Sequence, residues 1–320
     1  MRKLLSLGGN ELLLIGHRGC KYPGFNQNTI RAFKKVASEG VPAIEFDVQR
    51  CRDGELVVVH NLDLREVSNG EGRVSATDAK EIKRLFAGDP QRGKDRIPTL
   101  AEVFDFFAAL EPDSRPRIHM ELKGGGTGKP AGELFNRYIE SGKLSLSDIL
   151  ASSFNWQELT SIRAVLPDIS IALLDGAIRR ELLIKKVGAV AQSYFEKLFF
   201  YGAENYMLPR FDTLADNQAH VIRNCSNVEL ARLIVKEIND CLNGCSYTDA
   251  LLDTACSMKA VSVNLWYKTV TAEFIDKAHG RGLKVFVFTV NDPDDIRAVA
   301  EMGVDGLFTD YYAEARRLLK

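Results

Sequence analysis

The chain has 320 residues, of which 45% are hydrophobic, so it can bury a sizeable core as one large α/β domain or two ordinary ones. Its 42 Lys and Arg residues nearly balance 43 Asp and Glu residues, which argues against a nucleic-acid-binding protein. No apolar run approaches the length of a membrane span, and the first residues make a poor signal peptide. We therefore expect a cytoplasmic protein without membrane insertion. The six cysteines are too few for a disulfide framework in a chain of this length.

Short β-branched runs alternate with amphipathic stretches along the chain. Eight of these runs are strand candidates: 12–17, 43–49, 117–123, 148–153, 169–174, 260–265, 284–290 and 305–309. The stretches between them, such as 28–39 and 271–280, carry their apolar residues on one helical face. This alternation favours a parallel sheet, and eight units favour a closed (β/α)8 TIM barrel over a doubly wound sheet. A further run, 56–60, follows the turn at 52–54 and predicts a hairpin after the second strand.

The interval 175–259 is far longer than the ~30 residues that one barrel unit needs. We predict a single domain over 1–320, with an insertion of helical pattern over approximately 176–245, between the fifth and sixth strands. The early part of the insertion is rich in aromatic residues: Tyr194, Phe195, Phe199, Phe200 and Tyr201. These rings could wall a substrate pocket, or they could form a small core or a dimer contact.

Alternation along two strands places three carboxylates on inward faces. Glu45 and Asp47 share one face of the second strand, and Glu121 shares a face of the third strand with His119 and Lys123. Three such carboxylates at close range would repel one another unless a cation joins them. All-oxygen ligation suits one divalent cation, with Mg²⁺ favoured and Ca²⁺ the alternative. For either strand alone, a solvated acidic edge is the competing interpretation.

Two histidines stand at strand ends that should share a rim with these carboxylates. His17 ends the first strand beside Arg18, and His60 ends the hairpin run. An isolated pair such as His17 and Arg18 would more often be a core histidine and a surface arginine. Together with a hard cation and Lys123, however, these residues suit phosphodiester cleavage, in which cations hold phosphoryl oxygens and histidines move protons.

The glycine-rich stretch Gly124–Pro130 superficially suggests a P-loop. A P-loop requires Ser or Thr after its Gly-Lys pair, whereas Pro130 follows Lys129 here. We therefore predict a rim loop after the third strand. Cys20 and Cys51 each follow a rim strand and could be neighbours, but free thiols are the expected state.

The sequence resembles the glycerophosphodiester phosphodiesterases over most of its length outside the insertion. Their pattern is followed in order by "GHRG" (16–19), "NT" (28–29), "EFDV" (45–48), "DGELVVVH" (53–60), "IPTLAEV" (97–103), "ELK" (121–123), "SSF" (152–154), "VNLW" (263–266), "FTVND" (288–292) and "GVDGLFTD" (303–310). The resemblance implies a barrel with Glu45, Asp47 and Glu121 as metal ligands and His17 and His60 as the general acid and base. It further implies phosphate contacts from Arg18 and Lys123, and Trp266 and Phe288 as pocket residues.

Three positions depart from the family pattern. Gln27 and Asn61 replace carboxylates, and Phe288 replaces a tryptophan. Together with the insertion, these changes make the chain similar to bacterial enzymes that open sugar phosphodiester opines such as agrocinopine. Two alternatives stay open: a phospholipase-D-like enzyme on the same barrel, and a catalytically silent barrel that binds a phosphodiester. The expected partner is a small phosphodiester, attack by water or by a vicinal hydroxyl is undecided, and a homo-oligomer is compatible with the sequence.

Overall fold

The computed structural model describes residues 5–7, 10–174 and 245–320. The chain divides into two compact units. The first comprises Met1–Leu174 and Met258–Lys320, and the second comprises Asp175–Ser257. Of the second unit, the structure describes one helix, Cys245–Ser257. The predicted insertion, with its aromatic segment, otherwise lies outside the described residues and stays a prediction.

The described part of the first unit contains ten strands. In chain order they are β1 (Leu5–Leu7), β2 (Asn10–Gly16), β3 (Ala43–Arg50), β4 (Leu56–Val58), β5 (Arg117–Leu122), β6 (Ile149–Ser153), β7 (Ser170–Leu174), β8 (Ser262–Trp266), β9 (Lys284–Phe288) and β10 (Gly306–Thr309). Eight of them are parallel, and β2 pairs with both β3 and β10, which closes the sheet. Strands β1 and β4 are antiparallel additions to β2 and β3. The predicted eight-stranded barrel is confirmed.

Helices follow most of the barrel strands. They are α1 (Ile30–Ser38), α2 (Ala79–Ile82), α3 (Leu100–Ala108), α4 (Gly128–Glu140), α5 (Trp156–Arg163), α6 (Cys245–Ser257), α7 (Ala272–His279), α8 (Pro293–Glu301) and α9 (Tyr312–Leu318). Several helices begin after a residue whose side chain accepts a hydrogen bond from one of the backbone N–H groups that the first turn of a helix leaves without a partner. Thr29 caps α1, and Thr99 caps α3 in a capping box with Glu102.

The two faces of β3 show how alternation separates the core from the site. Phe46 points outward, where its ring centroid lies 5.7 Å from that of Phe33 and 6.1 Å from that of Phe107, on α1 and α3. Glu45 and Asp47 point the other way and are nevertheless buried. Because apolar residues cover the outer face, the barrel interior is left to polar side chains at this level.

The hairpin formed by β3 and β4 opens a small module over residues 51–98 with a hydrophobic cluster of its own. The cluster is built from Cys51, Val57, Val59, Leu64, Val67, Val74, Ala79, Ile82, Ala87 and Ile97. The sequence predicts the hairpin but not this cluster. The module supplies a packed base for the segment that carries His60. Within the described ranges, no helix has the length and apolarity needed to span a membrane.

Candidate active site

Three carboxylates meet at the carboxyl ends of β3 and β5. Asp47 and Glu121 are partners in the register of these strands, and Glu45 lies two residues before Asp47 on the same face. One carboxylate oxygen can be chosen from each of the three side chains so that all three oxygens lie within 4.8 Å of one another. Glu45 and Asp47 are buried, and Glu121 is partly buried. The structure thus brings together the three residues that the sequence selects as metal ligands.

Two cationic side chains reach into the carboxylate cluster. Lys123 Nζ lies 2.7 Å from Glu121 Oε1 and 3.4 Å from Asp47 Oδ1. Arg18 Nε lies 3.3 Å from Asp47 Oδ2, and the Arg18 backbone N–H donates to Glu45 Oε2 at 2.9 Å. Asn28 Nδ2 donates to Asp47 Oδ2 at 2.8 Å. Positive and negative groups are therefore interleaved in one buried cluster.

The three carboxylates differ in how easily they ionise. Burial raises the pKa of Glu45 well above its ordinary value, and the charges of Asp47 and Glu121 add to the effect. Burial also raises the pKa of Glu121, although Lys123 opposes the shift. The pKa of Asp47 is instead held well below its ordinary range. Burial works against its ionisation, but the charges of Lys123 and Arg18 outweigh burial, and His60 adds to them at a pH low enough to protonate its ring.

The cluster fits a hard divalent cation. Asp47 Oδ1 is buried and accepts no hydrogen bond from the described residues, and its charged neighbour Lys123 Nζ lies 3.4 Å away, so this oxygen keeps a lone pair that a divalent cation could use. Glu45 ionises only with difficulty beside two other carboxylates, and a cation would remove that difficulty. The donor set consists of carboxylate oxygens, as Mg²⁺ and Ca²⁺ prefer. Glu45, Asp47 and Glu121 could therefore hold one divalent ion.

His17 follows β2 and is held by a carboxylate at the end of β10. Its Nδ1 atom lies 2.7 Å from Asp310 Oδ1, and its Nε2 atom lies 3.4 Å from Thr289 Oγ1. Asn291 fixes Asp310 in turn, since its Nδ2 donates to Asp310 Oδ2 and its Oδ1 accepts from the Asp310 backbone N–H, both at 2.9 Å. Burial and the charge of Arg18 lower the pKa of His17, while Asp310 opposes the shift. A neutral His17 with a free Nε2 can accept a proton.

His60 lies just beyond β4 on a segment that a single glutamine organises. Gln49 Nε2 donates to the carbonyls of Val59, His60 and Asn61 at 3.0, 2.9 and 2.9 Å. The Nδ1 atom of His60 contacts Asn61 Oδ1. Burial lowers the pKa of His60 well below its ordinary value, and the charges of Lys123 and Arg18 contribute. His60 is therefore neutral at physiological pH unless a bound group supplies negative charge.

The "GHRG" turn explains why Arg18 reaches the carboxylates. Arg18 has a φ of +50°, an uncommon conformation for a non-glycine residue, and in it the Arg18 backbone N–H points at Glu45. Gly19 follows with a φ of +80°, and a Cβ there would lie 2.9 Å from the Phe33 ring. A side chain at position 19 would thus disturb both the turn and the packing of α1.

Aromatic side chains occupy part of the same rim. Trp266 and Phe288 are partners in the register of β8 and β9, and both are half-buried. The ring of Phe288 packs edge-to-face on Phe154, at 6.0 Å between centroids, and its neighbour Thr289 contacts His17. Phe288 therefore adjoins, along the chain, a residue that contacts His17.

The glycine-rich stretch after β5 is a rim loop over residues 124–127, as the sequence predicts, and its remaining residues form the first turn of α4. Two of its backbone N–H groups are already used, since Gly126 and Gly128 donate to the Glu158 carboxylate at 2.9 and 2.7 Å. A phosphate could not occupy these donors without displacing Glu158. Cys20 and Cys51 are free and buried, as expected, and burial raises their pKa values to about 11 and about 12.

Sequence reasoning misses several supporting residues. Asn28 and Asp310 lie in motifs that resemble those of the family. No strand pattern predicts their hydrogen bonds, which Asn28 makes with Asp47 and Asp310 makes with His17. Gln49 continues the inward alternation of Glu45 and Asp47 along β3, a signal that could have identified it. His119, on the same face as Glu121, lies deeper in the barrel against Phe308, and burial lowers its pKa to about 3.

The sequence profile of the Glycerophosphoryl diester phosphodiesterase family matches residues 17–221 and 206–314. The chain belongs to this family. The family consists of phosphoric diester hydrolases, so the chain is an enzyme of that class. The matched range includes each of the carboxylates and histidines described above.

Curated relatives span the chain nearly end to end. A glycerophosphodiester phosphodiesterase of Caldanaerobacter subterraneus subsp. tengcongensis is 26% identical over 305 residues, which cover 94% of each chain. One of Bacillus subtilis is also 26% identical, over 95% of this chain and 85% of the relative. One of Bacillus altitudinis is 32% identical over 50% of this chain.

Solved structures share the fold. An Oleispira antarctica phosphodiesterase in complex with the product sn-glycerol-3-phosphate superposes with a TM-score of 0.66 at 18% identity, covering 96% of both chains. A glycerophosphodiester phosphodiesterase from Parabacteroides distasonis gives a TM-score of 0.62 at 20% identity, again covering 96% of both chains. At these identities the likeness establishes the barrel alone.

Proposed function

We propose that the protein hydrolyses a glycerophosphodiester to an alcohol and a phosphomonoester, with one divalent cation and with His17 and His60 as the proton-transfer pair. The observation that carries this proposal is the meeting of two histidines, three carboxylates and two cationic side chains at the carboxyl end of one barrel. A merely structural ion-pair cluster would not need two neutral histidines beside it.

Each group has a role that its surroundings support. His17 presents Nε2 toward the site because Nδ1 faces Asp310. His60 presents Nε2 for the same reason, since its Nδ1 faces Asn61. One histidine, in its neutral form, removes a proton from the attacking hydroxyl. The other takes up a proton when the negative phosphodiester binds and, as an imidazolium, gives that proton to the departing alcohol. A bound divalent cation would offset charge on the phosphoryl oxygens. Arg18 and Lys123 would add to that positive field.

Two substrate classes agree with this chemistry. Glycerophosphodiesters are the first, because the curated relatives carry that name and the Oleispira antarctica neighbour holds sn-glycerol-3-phosphate. Sugar phosphodiesters such as agrocinopine are the second. Neutral Gln27 and Asn61 alter the charge around Arg18 and His60, and the half-buried rings of Trp266 and Phe288 suit a sugar face.

A substrate screen tests the proposal. The purified protein would be assayed against glycerophosphocholine, glycerophosphoethanolamine, agrocinopine and bis(p-nitrophenyl) phosphate, with Mg²⁺, with Ca²⁺ or with a chelator. We expect turnover that the chelator abolishes, and a loss of ~10²–10⁴ in kcat for His17→Ala and for His60→Ala. Glu71→Gln, an exposed change in the module that carries His60, is the matched control.

The alternatives give different results. A silent phosphodiester-binding barrel would bind the substrates and turn none of them over. A route through a vicinal hydroxyl would release a cyclic phosphate, visible by ³¹P NMR, and would fail on substrates that lack this hydroxyl. Full activity in chelator would exclude the cation, and unchanged activity of both histidine variants would exclude the proton-transfer pair.

A further inference from the structure

A three-residue chain of hydrogen bonds leads from His60 to an exposed carboxylate. Asn61 Oδ1 contacts His60 Nδ1, and Asn61 Nδ2 donates to Glu66 Oε2. Glu66 ends the short 3₁₀ helix Leu64–Glu66, which begins at the Asp63 cap. Glu66 also lines the same small cavity of about 50 Å³ as His60, Gln27 and Asn28.

The amide of Asn61 can face His60 in two ways, and only one leaves Nε2 as the atom that exchanges a proton. With the oxygen toward Nδ1, the ring keeps a proton on Nδ1, so Nε2 can accept a proton when the ring is neutral and release one when the ring is an imidazolium. With the amide nitrogen toward Nδ1, the imidazole must carry its proton on Nε2. The two orientations of the amide thus select opposite tautomers of the neutral ring.

The carboxylate at position 66 favours the first orientation. An ionised carboxylate only accepts hydrogen bonds, so it attracts the Nδ2 end of Asn61 and repels the Oδ1 end. We propose that Glu66 is a positioning residue for His60, which acts through the Asn61 amide to hold the tautomer with the proton on Nδ1. The inference rests on the proposed function, in which His60 transfers a proton.

The arrangement differs from the one at the other histidine. His17 has the carboxylate of Asp310 directly against Nδ1, whereas His60 has a neutral amide between itself and its carboxylate. Glu66 is exposed, so solvent screens its charge and the amide transmits orientation more than charge. A moderate effect is expected, about tenfold in kcat, as for other residues that orient a functional imidazole indirectly.

A double-mutant experiment tests the chain of contacts. We expect Glu66→Ala to lower kcat about tenfold with KM little changed, and Asn61→Ala to lower it at least as much. Asn61→Asp places an acceptor-only group against Nδ1, so it should retain activity. In the Asn61→Asp background, Glu66→Ala should cause no further loss. Glu71→Ala, an exposed carboxylate of the same module, should leave kcat unchanged in both backgrounds.

Nitrogen-15 NMR of the imidazoles supplies a readout that needs no turnover. Above the ordinary His pKa of about 6.5, the His60 signals, assigned by their loss in His60→Ala, should report a proton on Nδ1 in the wild type. In Glu66→Ala they should shift toward the Nε2-protonated tautomer. An unchanged tautomer in that variant would overturn the inference, as would an equal loss of kcat in the Asn61→Asp background. Failure of the proposed function would instead appear as inactivity of the wild type on all substrates, while the NMR result would still decide the role of Glu66.

Discussion

The Nδ1 atom of His17 lies 2.7 Å from Asp310 Oδ1, although 293 positions separate the two residues. The other oxygen of Asp310 faces two donors, Asn291 Nδ2 at 2.9 Å and Lys21 Nζ at 3.7 Å. An asparagine at position 310 would therefore turn its oxygen toward these donors and its amide nitrogen toward His17. That orientation selects the tautomer with the proton on Nε2, which cannot accept a proton at the site.

We accordingly expect Asp310→Asn to lower kcat by ~10²–10⁴ while KM changes little, because the tautomer and not the pocket is altered. Steady-state kinetics over a range of pH would measure the effect, and the acid limb of the profile should move with it. Asp294→Asn, an exposed change on α8, is the control. A variant that raises KM and keeps kcat would assign Asp310 to substrate binding.

Asp310 should also contribute to stability in a pH-dependent way. Burial opposes its ionisation, but the hydrogen bond and charge of His17 outweigh burial and hold the pKa below its ordinary value. A depressed pKa stabilises the folded state above the unfolded value of about 3.9, and that stability is lost as pH falls through the folded value. The difference in unfolding free energy between wild type and Asp310→Asn should therefore fall as pH drops below about 4, where the unfolded carboxyl takes up its proton. Urea titrations at several pH values would check it, and a difference that kept growing below that pH would contradict it.

Substitutions that neutralise single carboxylates of the cluster should have opposite effects on the melting temperature. Burial, with the charges of Asp47 and Glu121, raises the pKa of Glu45, so its ionised form destabilises the cation-free protein at neutral pH. Glu45→Gln should raise the melting temperature in chelator, since its amide oxygen can still accept from Arg18. Asp47→Asn should lower it, because Arg18 and Lys123 lose a buried partner, a change that costs on the order of 3 kcal/mol.

Thermal unfolding in chelator and in Mg²⁺ would separate these outcomes. The wild type should gain stability when Mg²⁺ is added, as expected for a ligand that binds only the folded state, and both variants should gain less. If Asp47→Asn instead melted at a higher temperature than the wild type in chelator, the repulsion of Asp47 by the other carboxylates would be worth more free energy than its ion pairs.

Alternation accounts for what the sequence could predict of the site. Residues on one strand share a face by a fixed period, so Glu45 with Asp47 and His119 with Glu121 could be placed without coordinates. Parallel strands align their carboxyl ends, which brings the two pairs into one cluster. The eight barrel strands could likewise be predicted from their sequence pattern. Their observed bounds differ from the predicted ones by a few residues at most.

Side-chain contacts across distant segments could not be predicted in this way. Asp310 lies beyond the end of β10, where no period assigns a direction, and its pairing with His17 depends on closure of the barrel. Glu66 belongs to a 3₁₀ helix inside the module over 51–98, whose cluster has no repeating pattern. Such contacts depend on loop geometry, which a single sequence specifies only weakly.

Glu158 fixes the loop that follows Lys123, and its removal should loosen the loop. Its carboxylate is buried and accepts the N–H groups of Gly126 and Gly128. Glu158→Ala would leave these donors unsatisfied, at a cost of about 1–3 kcal/mol. We expect faster hydrogen exchange at both glycines and a lower kcat/KM, with Glu133→Ala on the exposed face of α4 as the control. Unchanged exchange would show that the loop is held by other contacts.

The last prediction concerns the insertion, which rests on the sequence alone. Because the insertion follows the fifth strand in the chain, the sequence predicts a connection from a strand to a helix, the class of connection that carries specificity in barrels of this type. The proposed catalytic groups lie elsewhere in the chain, on segments up to residue 123 and from residue 288 onward. An element that adds pocket walls without adding catalytic groups should change which substrates are accepted more than how fast a small one reacts.

We expect that replacement of Ala177–Leu242 by a short Gly/Ser loop leaves hydrolysis of bis(p-nitrophenyl) phosphate largely intact. The same variant should lose most of its kcat/KM for the best larger substrate found in the screen, because binding contacts to the remote part of that substrate are removed. Circular dichroism and thermal unfolding would establish that the variant is folded before the two rates are compared. Equal losses on both substrates in a folded variant would assign the insertion a structural role, and the aromatic segment from Tyr194 to Tyr201 would then belong to an internal core or a contact between chains.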